Sequence, residues 1–322
     1  MSNPTTLVSA FDGDLSFAGQ SGSGTWAGVD PIRYDDGLWL EEGATSHIEN
    51  PIGGNGATGY SGNFIEVVSL PGPLPYDYLS GVTQCYRVTA TGDRGAYGGI
   101  VNTVPFEVPD TSEYTISALI WVPSSYGGTG IQLTHQNFSG AAATGAVADM
   151  GKRDQWQRIG PVHLDIDADR AGNVSLQNLS GTWLTGQTLY FVFMQTTKGG
   201  YATSPIAGSL GPGFSWSGTG TAHASTSTRA ASSASVTISE PAAVACWYRE
   251  GYSGPKTFAY LEPYGTLGTY GSIAWSGGTL TLSTSRNLVI GPFAAFSRAL
   301  TANEQANLRS TQNWSMNSVN GS

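Results

Sequence analysis

Residues 113–123 read EYTISALIWVP, and this stretch decides the fold class. Tyr114, Ile116, Ala118 and Ile120 occupy alternate positions, a period of two that is typical of a β-strand. Similar runs bounded by turn-forming residues flank it at 63–70, 83–90, 97–108, 131–138, 156–166, 172–179 and 187–197. Short strands at such regular spacing indicate a two-sheet sandwich or jelly roll. No alternation of strands and helices is present, which argues against a parallel sheet.

The same strand-and-turn pattern continues toward the C-terminus. Further strands are predicted at 233–240, 243–251, 256–265, 272–284 and 286–298. In WSGGTLTL (275–282), Gly277 and Gly278 supply the positive φ angles of a tight hairpin turn. One helix is predicted in TANEQANLRST (301–311), where Thr301 and Glu304 form a capping box. The sequence therefore predicts an all-β protein of two antiparallel β-sandwich or jelly-roll domains with one short C-terminal helix.

The composition excludes several classes of function. Only 11% of the 322 residues are charged and 11% are aromatic, and the net charge is −9. An acidic protein without a basic face is not expected to bind nucleic acid. The start, MSNPTTLVSAFDGDLSF (1–17), lacks the basic and apolar regions of a secretory signal peptide, and no run reaches the roughly 20 apolar residues of a membrane helix. We therefore expect synthesis in the cytoplasm without membrane insertion.

The two cysteines are far apart in the sequence. Cys85 and Cys246 are expected to be buried free thiols, because a protein made in the cytoplasm rarely depends on a disulfide. A disulfide between the two cysteines is the alternative interpretation.

The stretch GPGFSWSGTGTAHASTSTR (211–229) is interpreted as structured and not as a flexible tether. Linkers of glycine and serine avoid large aromatic residues, whereas Trp216 lies in the middle of this stretch. Its last residues alternate between the two faces of a strand, with Ala224, Thr226 and Thr228 on one face and Ser225, Ser227 and Arg229 on the other. We expect Trp216 to bury its ring where the chain passes between domains.

Three phrases of the chain match a recurring sequence pattern. The first, in GLWLEEGATSHIENP (37–51), is matched by Leu40, Glu41, Thr45, Asn50 and Pro51, with Ser46 where Asn is usual. The second, in 201–229, is matched by Tyr201, Ala202, Thr203, Gly213, Trp216, Gly218, Thr219, His223, Ser225, Ser227 and Arg229. The third, in 290–304, is matched by Ile290, Gly291, Phe296, Arg298, Ala299, Leu300, Thr301 and Glu304. In these phrases the chain resembles tail-associated proteins of double-stranded DNA bacteriophages, and the resemblance spans most of the chain.

The resemblance implies a domain organisation. Such proteins carry a jelly roll similar to a carbohydrate-binding module, followed by a sandwich similar to laminin-G and concanavalin-type lectins. The implied segments are N-terminal strands at 1–45, the jelly roll at 46–200 and the sandwich at 201–322. The strands of 1–45 are expected to join the C-terminal sandwich, which makes the jelly roll an insertion. The acidic pair that normally ends the jelly roll is replaced here by Phe193 and Thr197, so no role of those acids is carried over.

The resemblance also implies a function. It is that of a non-enzymatic virion structural protein, a minor tail or tail-tip component in preference to a capsid component. Its sandwiches would face a host cell-surface glycan or other virion proteins, and a homo-oligomer is expected, with a trimer favoured. Two alternatives stay open: a concanavalin-like enzyme that cleaves glycans, and a capsid decoration protein.

Asp165, Asp167 and Asp169 form the most enzyme-like cluster, in HLDIDADRAGN (163–173). In a strand these alternate residues would share one face, as do the paired acids of glycoside hydrolases, but the Glu-x-Asp-x-x-Glu pattern of the jelly-roll enzymes is missing. Three aspartates near one turn can also bind calcium, the only cofactor that the sequence suggests. A solvated hairpin turn is the third interpretation.

Trp183, Tyr126 and Trp121 are the candidate glycan-binding residues. Exposed tryptophan and tyrosine rings stack on the apolar faces of sugars. Trp183 in SGTWLTG (180–186) and Tyr126 in SSYGGTG (124–130) lie in polar loops, which favours exposure. Each of the three is alternatively a core residue.

Overall fold

A computed structural model describes residues 6–10, 24–27, 33–34, 37–76, 79–136, 138, 145–166, 170–200, 202–211, 213–217, 222–223, 225–231, 233–237, 240–250, 255–296 and 298–311. The chain divides into two compact units. Met1–Gly43 and Ala230–Ser322 form the first, which we call the split unit. Ala44–Arg229 forms the second, which we call the inserted unit.

The described elements are strands, followed by one helix. In chain order they are β1 Thr6–Ala10, β2 Gly24–Ala27, β3 Arg33–Tyr34, β4 Gly37–Leu40, β5 Ala44–Ser46, β6 Gly54–Ala57, β7 Tyr60–Gly62, β8 Phe64–Ser69, β9 Gln84–Thr89, β10 Gly98–Thr103, β11 Phe106–Glu107, β12 Glu113–Trp121, β13 Gly128–Gln136, β14 Ala146–Val147, β15 Trp156–Asp165, β16 Ala171–Gly181, β17 Thr188–Lys198, β18 Phe214–Ser217, β19 Thr226–Arg229, β20 Ser233–Thr237, β21 Ala243–Glu250, β22 Lys256–Leu261, β23 Gly265–Leu267, β24 Gly271–Ser276, β25 Thr279–Thr284, β26 Leu288–Phe296 and α1 Ala302–Thr311.

The inserted unit is built on a sandwich of two antiparallel sheets. One sheet has the order β14-β13-β16-β10-β7, with β11 also paired to β16, and the other has the order β15-β12-β17-β9-β8. Apolar side chains from both sheets meet in one core, to which β12 contributes Tyr114 and Ile120 and β16 contributes Val174 and Leu176. The predicted fold class, all-β with two antiparallel sandwiches and one short C-terminal helix, is confirmed.

The central strand β12 is buried on both of its faces. Its residues Tyr114, Ile116, Ala118 and Ile120 lie in the core between the sheets, on the single face that the alternation predicts. Leu119, on the opposite face, belongs to a second apolar cluster. This cluster also contains residues that precede β9 or follow β17, namely Leu79, Val82 and Ala207. The outer face of this sheet is therefore covered by the chain itself.

Residues 203–207 form part of that cover and are buried. Gln195 of β17, which is buried, holds them with both ends of its amide. Its Nε2 donates to the carbonyl of Thr203 at 2.8 Å, and its Oε1 accepts the N–H of Ile206 at 3.1 Å. A buried amide is tolerated when donor and acceptor are both satisfied, so this residue fixes the path of the covering segment.

A three-stranded sheet of order β18-β19-β5 completes the inserted unit. Two of its strands, β18 and β19, lie in the stretch 211–229, so the described strands of this stretch agree with its interpretation as structured. The expected place of Trp216 is corrected, because its ring packs inside the inserted unit in the second apolar cluster. The boundary between the units falls at Arg229 and not at residue 200, because β18 and β19 pair with each other and with β5. Arg229 and Ala44, the last and first residues of the unit, are direct cross-strand partners.

The split unit contains two further antiparallel sheets, β22-β21-β26-β4-β3 with β1 paired to β26, and β2-β20-β25-β24-β23. Its N-terminal strands pair with C-terminal ones, β2 with β20 and β4 with β26. Between the sheets lies an apolar core that includes Cys246, Leu282 and Phe293. The hairpin from β24 to β25 turns at Gly277 and Gly278, whose φ angles of 57° and 86° confirm the predicted turn.

Helix α1 begins with the predicted capping box. The N–H of Thr301 donates to Oε2 of Glu304 at 2.8 Å, and the N–H of Glu304 donates to Oγ1 of Thr301 at 3.4 Å. Arg298 adds two bonds to the same carboxylate, at 2.7 and 3.0 Å. Leu300 and Leu308 pack with Phe296 of β26, so the helix lies against the outer face of that sheet.

Replacing Arg298 with alanine is expected to raise the pKa of Glu304. The Arg298 guanidinium, with the Thr301 N–H, lowers this pKa from 4.5 to about 2. Because the folded pKa is the lower one, the contact stabilises the helix start above pH 4.5 and is lost as the pH falls toward 2. An NMR titration of the Glu304 carboxyl carbon measures the change. Arg309→Ala, in the last turn, should leave that titration unchanged, and an unchanged titration in Arg298→Ala would contradict the assignment.

Cys85 and Cys246 are buried free thiols, as predicted. Burial raises the pKa of each to about 12, so both remain protonated near neutral pH. No described helix has the length and hydrophobicity that crossing a membrane requires.

Candidate functional site

Trp183 and Tyr126, two of the three predicted glycan-binding residues, are core residues. Their side chains are only 0% and 2% exposed, and their rings lie 6.4 Å apart in the core between the sheets. Trp183 is buried because the loop that carries it pairs with the loop before β10. The N–H of Arg94 donates to the carbonyl of Trp183 at 2.8 Å, and the N–H of Trp183 donates back at 2.9 Å. Neither ring offers a face to a sugar, which corrects the prediction of exposure.

Asn178 of β16 is the polar centre of this end of the core. It is completely buried, and its Nδ2 donates to the carbonyls of Arg94, Gly95 and Gly181 at 2.9–3.0 Å. Its Oδ1 accepts the hydroxyl of Tyr126 at 2.8 Å. The Asn178 side chain thus connects the loops around Trp183 by hydrogen bonds. Asn178, Tyr126 and Trp183 therefore have a structural role.

Trp121, the third predicted residue, is half-buried in the second apolar cluster. Its ring lies against Gly72, where a Cβ atom would come within 2.6 Å of the indole. Trp156 packs edge-on against it, with ring centres 6.0 Å apart. Trp121 is therefore only partly accessible, and its role in glycan binding remains a prediction. Phe193, one of the two residues that stand in place of the expected acidic pair, is buried in the same cluster.

The predicted calcium ligands fall largely outside the described residues. Asp167 and Asp169 are not among them, and of Asp165 only the backbone at the end of β15 is described. Within the described part of the chain, no group of three or more His, Cys, Asp or Glu side chains is placed to hold a metal ion. The roles suggested for these aspartates remain predictions.

The outer face of the β14-β13-β16-β10-β7 sheet, which we call the polar face, carries an array of uncharged polar side chains. Leu133 and Leu176 point into the core, so the residues that alternate with them point outward. The outward positions with polar side chains are Ser61, Asn102, Gln132, Thr134, Gln136, Asn173, Ser175 and Gln177. Asn173 and Ser175 are buried, so the other six form the accessible part of this face. None of them carries a charge.

These side chains form rows across the sheet. Gln132 is the cross-strand partner of Gln177, and Thr134 is the partner of Ser175, which in turn pairs with Asn102. The Oγ of Ser175 donates to Oδ1 of Asn102 at 2.5 Å. The side chains of Gln132, Gln177 and Thr134 make no hydrogen bond to any described residue, so their donors and acceptors are open to a ligand.

An exposed aromatic residue lies at one end of this array. Tyr97 is 69% exposed and stands in the turn that leads into β10, two residues before Gly99, the partner of Gln177. Its φ of 58° is unusual for a residue with a side chain. Neither the polar face nor the exposed Tyr97 was predicted from the sequence. The signal was the polar side chains at every second position of β13 and β16, and a tyrosine in the glycine-rich turn GDRGAYGG (92–99).

Comparisons with known proteins assign no family. No protein-family model matches the chain, and no curated protein matches it. Three solved structures are similar at low identity. The first, the CBM22-1–GH10 modules of an endo-1,4-β-D-xylanase of Clostridium thermocellum complexed with xylohexaose, is 14% identical with a TM-score of 0.29, over 52% of this chain and 31% of that one.

The second is a structure of promiscuous carbohydrate-binding modules from the β-sandwich superfamily, 18% identical with a TM-score of 0.28, over 47% of this chain and 61% of that one. The third is the N-terminal CBM22-1–CBM22-2 tandem domain from a Paenibacillus barcinonensis protein, 11% identical with a TM-score of 0.33, over 85% and 99% of the two chains. Every one of these TM-scores is below 0.5, so the likeness gives this chain neither a family nor a ligand.

Proposed function

We propose that the chain is a non-enzymatic structural protein of a phage virion and that its inserted unit binds a neutral glycan across the polar face. The observation that carries the binding proposal is the set of half-buried amide and hydroxyl side chains of Gln132, Gln177, Thr134 and Asn102. The virion setting, with a tail position favoured over the capsid and a homo-oligomer, rests on the three phrases that resemble phage tail proteins.

The chemistry of the polar face suits a sugar chain. An amide offers donors and an acceptor side by side, and a sugar hydroxyl is both donor and acceptor, so each can satisfy the other. Neutral groups lose less free energy than charged groups when a ligand displaces their water. The row from Ser61 through Asn102 and Ser175 to Thr134 crosses four strands, about 14 Å at the usual strand spacing. Such a span accommodates more than one sugar ring.

The amides and hydroxyls of the polar face can bind only the polar groups of a sugar, and Tyr97 adds an apolar contact. Pyranose rings present C–H-rich faces, and an exposed tyrosine ring packs against them. Its place in the turn before β10 puts it next to the row of Gln132 and Gln177, at the margin of the polar face. A chain of sugars lying on the amides would meet this ring at one end.

The proposal is tested by binding of neutral hexasaccharides to the full-length protein. Xylo-, cello- and manno-hexaose are titrated by calorimetry against the native protein and against Gln132→Ala and Gln177→Ala. Each substitution removes one or two neutral hydrogen bonds, so each is expected to weaken binding about 3–10-fold. Gln155→Ala, an exposed glutamine just before β15 of the other sheet, is the matched control and should bind as the native protein does.

Besides a failure of all three hexasaccharides to bind, two results would overturn the proposal. One is an equal affinity for native protein, Gln132→Ala and Gln177→Ala, which would place any binding elsewhere. The other is release of new reducing ends that stops in Asp167→Asn, which would make the chain a glycan-cleaving enzyme with the aspartate cluster at its centre.

A further inference from the structure

Two aromatic residues of the phage-like phrase, Trp216 and His223, pack on each other beside a cavity that the proposed function does not use. Their ring centres lie 4.6 Å apart. Each ring also lies against a glycine. A Cβ atom on Gly208 would come within 2.5 Å of the Trp216 indole, and one on Gly54 would come within 2.2 Å of the His223 imidazole. The pair is therefore held in a slot that only glycines at these two positions leave open.

His223 adopts a backbone conformation that side-chain-bearing residues seldom take. Its φ is 67°, in the left-handed region. Its Nδ1 is buried without a hydrogen-bond partner among the described residues. Strain and an unsatisfied polar atom both cost free energy, and they persist where the surrounding structure enforces them, often at a binding site.

The cavity beside His223 has a volume of about 420 Å³. Its described lining has an apolar part and a polar part. The apolar part is formed by Ile52, Val82 and Leu210, and the polar part by Ser80, Thr83, Gln84, Ser209 and His223. This volume falls in the range of small-molecule sites, which combine an apolar floor with a few polar groups that orient the ligand.

The lining is neutral throughout its described residues. It contains hydroxyls, one amide and one imidazole, and no carboxylate, ammonium or guanidinium group. Burial lowers the pKa of His223, so the uncharged ring is favoured near neutral pH. A charged ligand would find no counter-ion here, whereas an uncharged ligand with several hydroxyls would find a partner for each.

The cavity and the polar face are separate places on the inserted unit. Leu210 and Val82 belong to the second apolar cluster, which covers the outer face of the β15-β12-β17-β9-β8 sheet. The polar face is the outer face of the other sheet of the sandwich. A ligand in the cavity therefore makes no contact with Gln132 or Gln177.

We infer that this cavity binds a single neutral sugar ring, with His223, Gln84 and the hydroxyls of Ser80, Thr83 and Ser209 recognising its hydroxyl groups. The inference extends the proposed glycan binding to a second site, and it holds or fails independently of the polar face. Trp216 acts as a positioning residue that fixes the imidazole.

The test is NMR mapping on the full-length protein, with methyl glucoside, methyl galactoside and N-acetylglucosamine each added up to about 20 mM, a range that reports millimolar affinity. We expect saturable shifts of the amide signals of Ser80–Gln84 and Ser209–Leu210 with at least one sugar. Ser209→Trp places an indole at the exposed rim of the cavity and should abolish these shifts. Gln84→Ala should weaken binding about 3–10-fold.

The double variant Gln132→Ala, Gln177→Ala separates this site from the polar face and should leave the cavity shifts intact. Shifts that survive in Ser209→Trp, or the absence of saturable shifts at the cavity with all three sugars, would overturn the inference. Loss of hexasaccharide binding in the double variant with cavity shifts preserved supports both sites. Cavity shifts together with a hexasaccharide affinity that the Gln132→Ala and Gln177→Ala substitutions leave unchanged would support this site. They would also refute glycan binding at the polar face.

Discussion

Replacing Trp183 with alanine is expected to lower the stability of the inserted unit by about 3–5 kcal/mol, the usual cost of removing a large aromatic side chain from a core. The indole is fully buried among the residues of the core between the sheets. Its Nε1 has no hydrogen-bond partner among the described residues, so the truncation removes packing and no polar contact. Native-state hydrogen exchange of the β13 and β16 amides reports this loss separately from the split unit.

Leu184→Ala is the matched control for this prediction. Leu184 follows Trp183 in the chain but is exposed, so its truncation should change stability by about 0.5 kcal/mol or less. The comparison also separates the two roles that the sequence allowed for Trp183. A stacking platform would lose glycan affinity on truncation and keep its stability, so full protection of β13 and β16 in Trp183→Ala would refute the core assignment.

Asn178→Ala is expected to cost about 2–4 kcal/mol, because it removes one partner from several groups at once. The carbonyl of Gly181 loses the amide donor, while those of Arg94 and Gly95 keep only the N–H groups of Trp183 and Gly98. The hydroxyl of Tyr126 loses its nearer acceptor. Those carbonyls are only part-buried, so water restores some of the lost hydrogen bonding. Hydrogen exchange in the turn before β10 and in the loop after β16 should rise together, since one side chain connects both.

Two variants define the control for Asn178. Gln177→Ala changes the preceding residue, whose side chain points outward, and should change stability by about 0.5 kcal/mol or less. Tyr126→Phe removes only the hydroxyl and should cost about 1 kcal/mol. A cost for Asn178→Ala no larger than that for Tyr126→Phe would mean that the three carbonyls do not depend on the amide.

Features set by neighbouring residues were predictable from the sequence. The turn at Gly277 and Gly278 and the capping box of Thr301 and Glu304 depend on contacts within four residues, and both have the predicted geometry. The inward face of β12 follows from a period of two for the same reason. The fold class rests on many such local signals, which agree with one another.

The candidate site was not predictable in the same way. Trp183 lies in a polar loop, and what buries it is a pairing with Arg94, far away in the sequence. The alternating amides of β13 and β16 are visible in the sequence, but alternation alone does not tell which sheet keeps its outer face open. The outer face of the other sheet is covered by residues 203–207, a segment whose path depends on the buried Gln195.

The pairing of Ala44 with Arg229 has a consequence for how such chains change over time. Because the inserted unit begins and ends on neighbouring strands, its two ends lie within about 5.5 Å of each other at their Cα atoms. A short turn can close the gap left by deletion of the whole segment, and any other domain with adjacent termini can take its place. Recombination at these two points would exchange the proposed glycan-binding unit in one step, without redesign of the remaining protein.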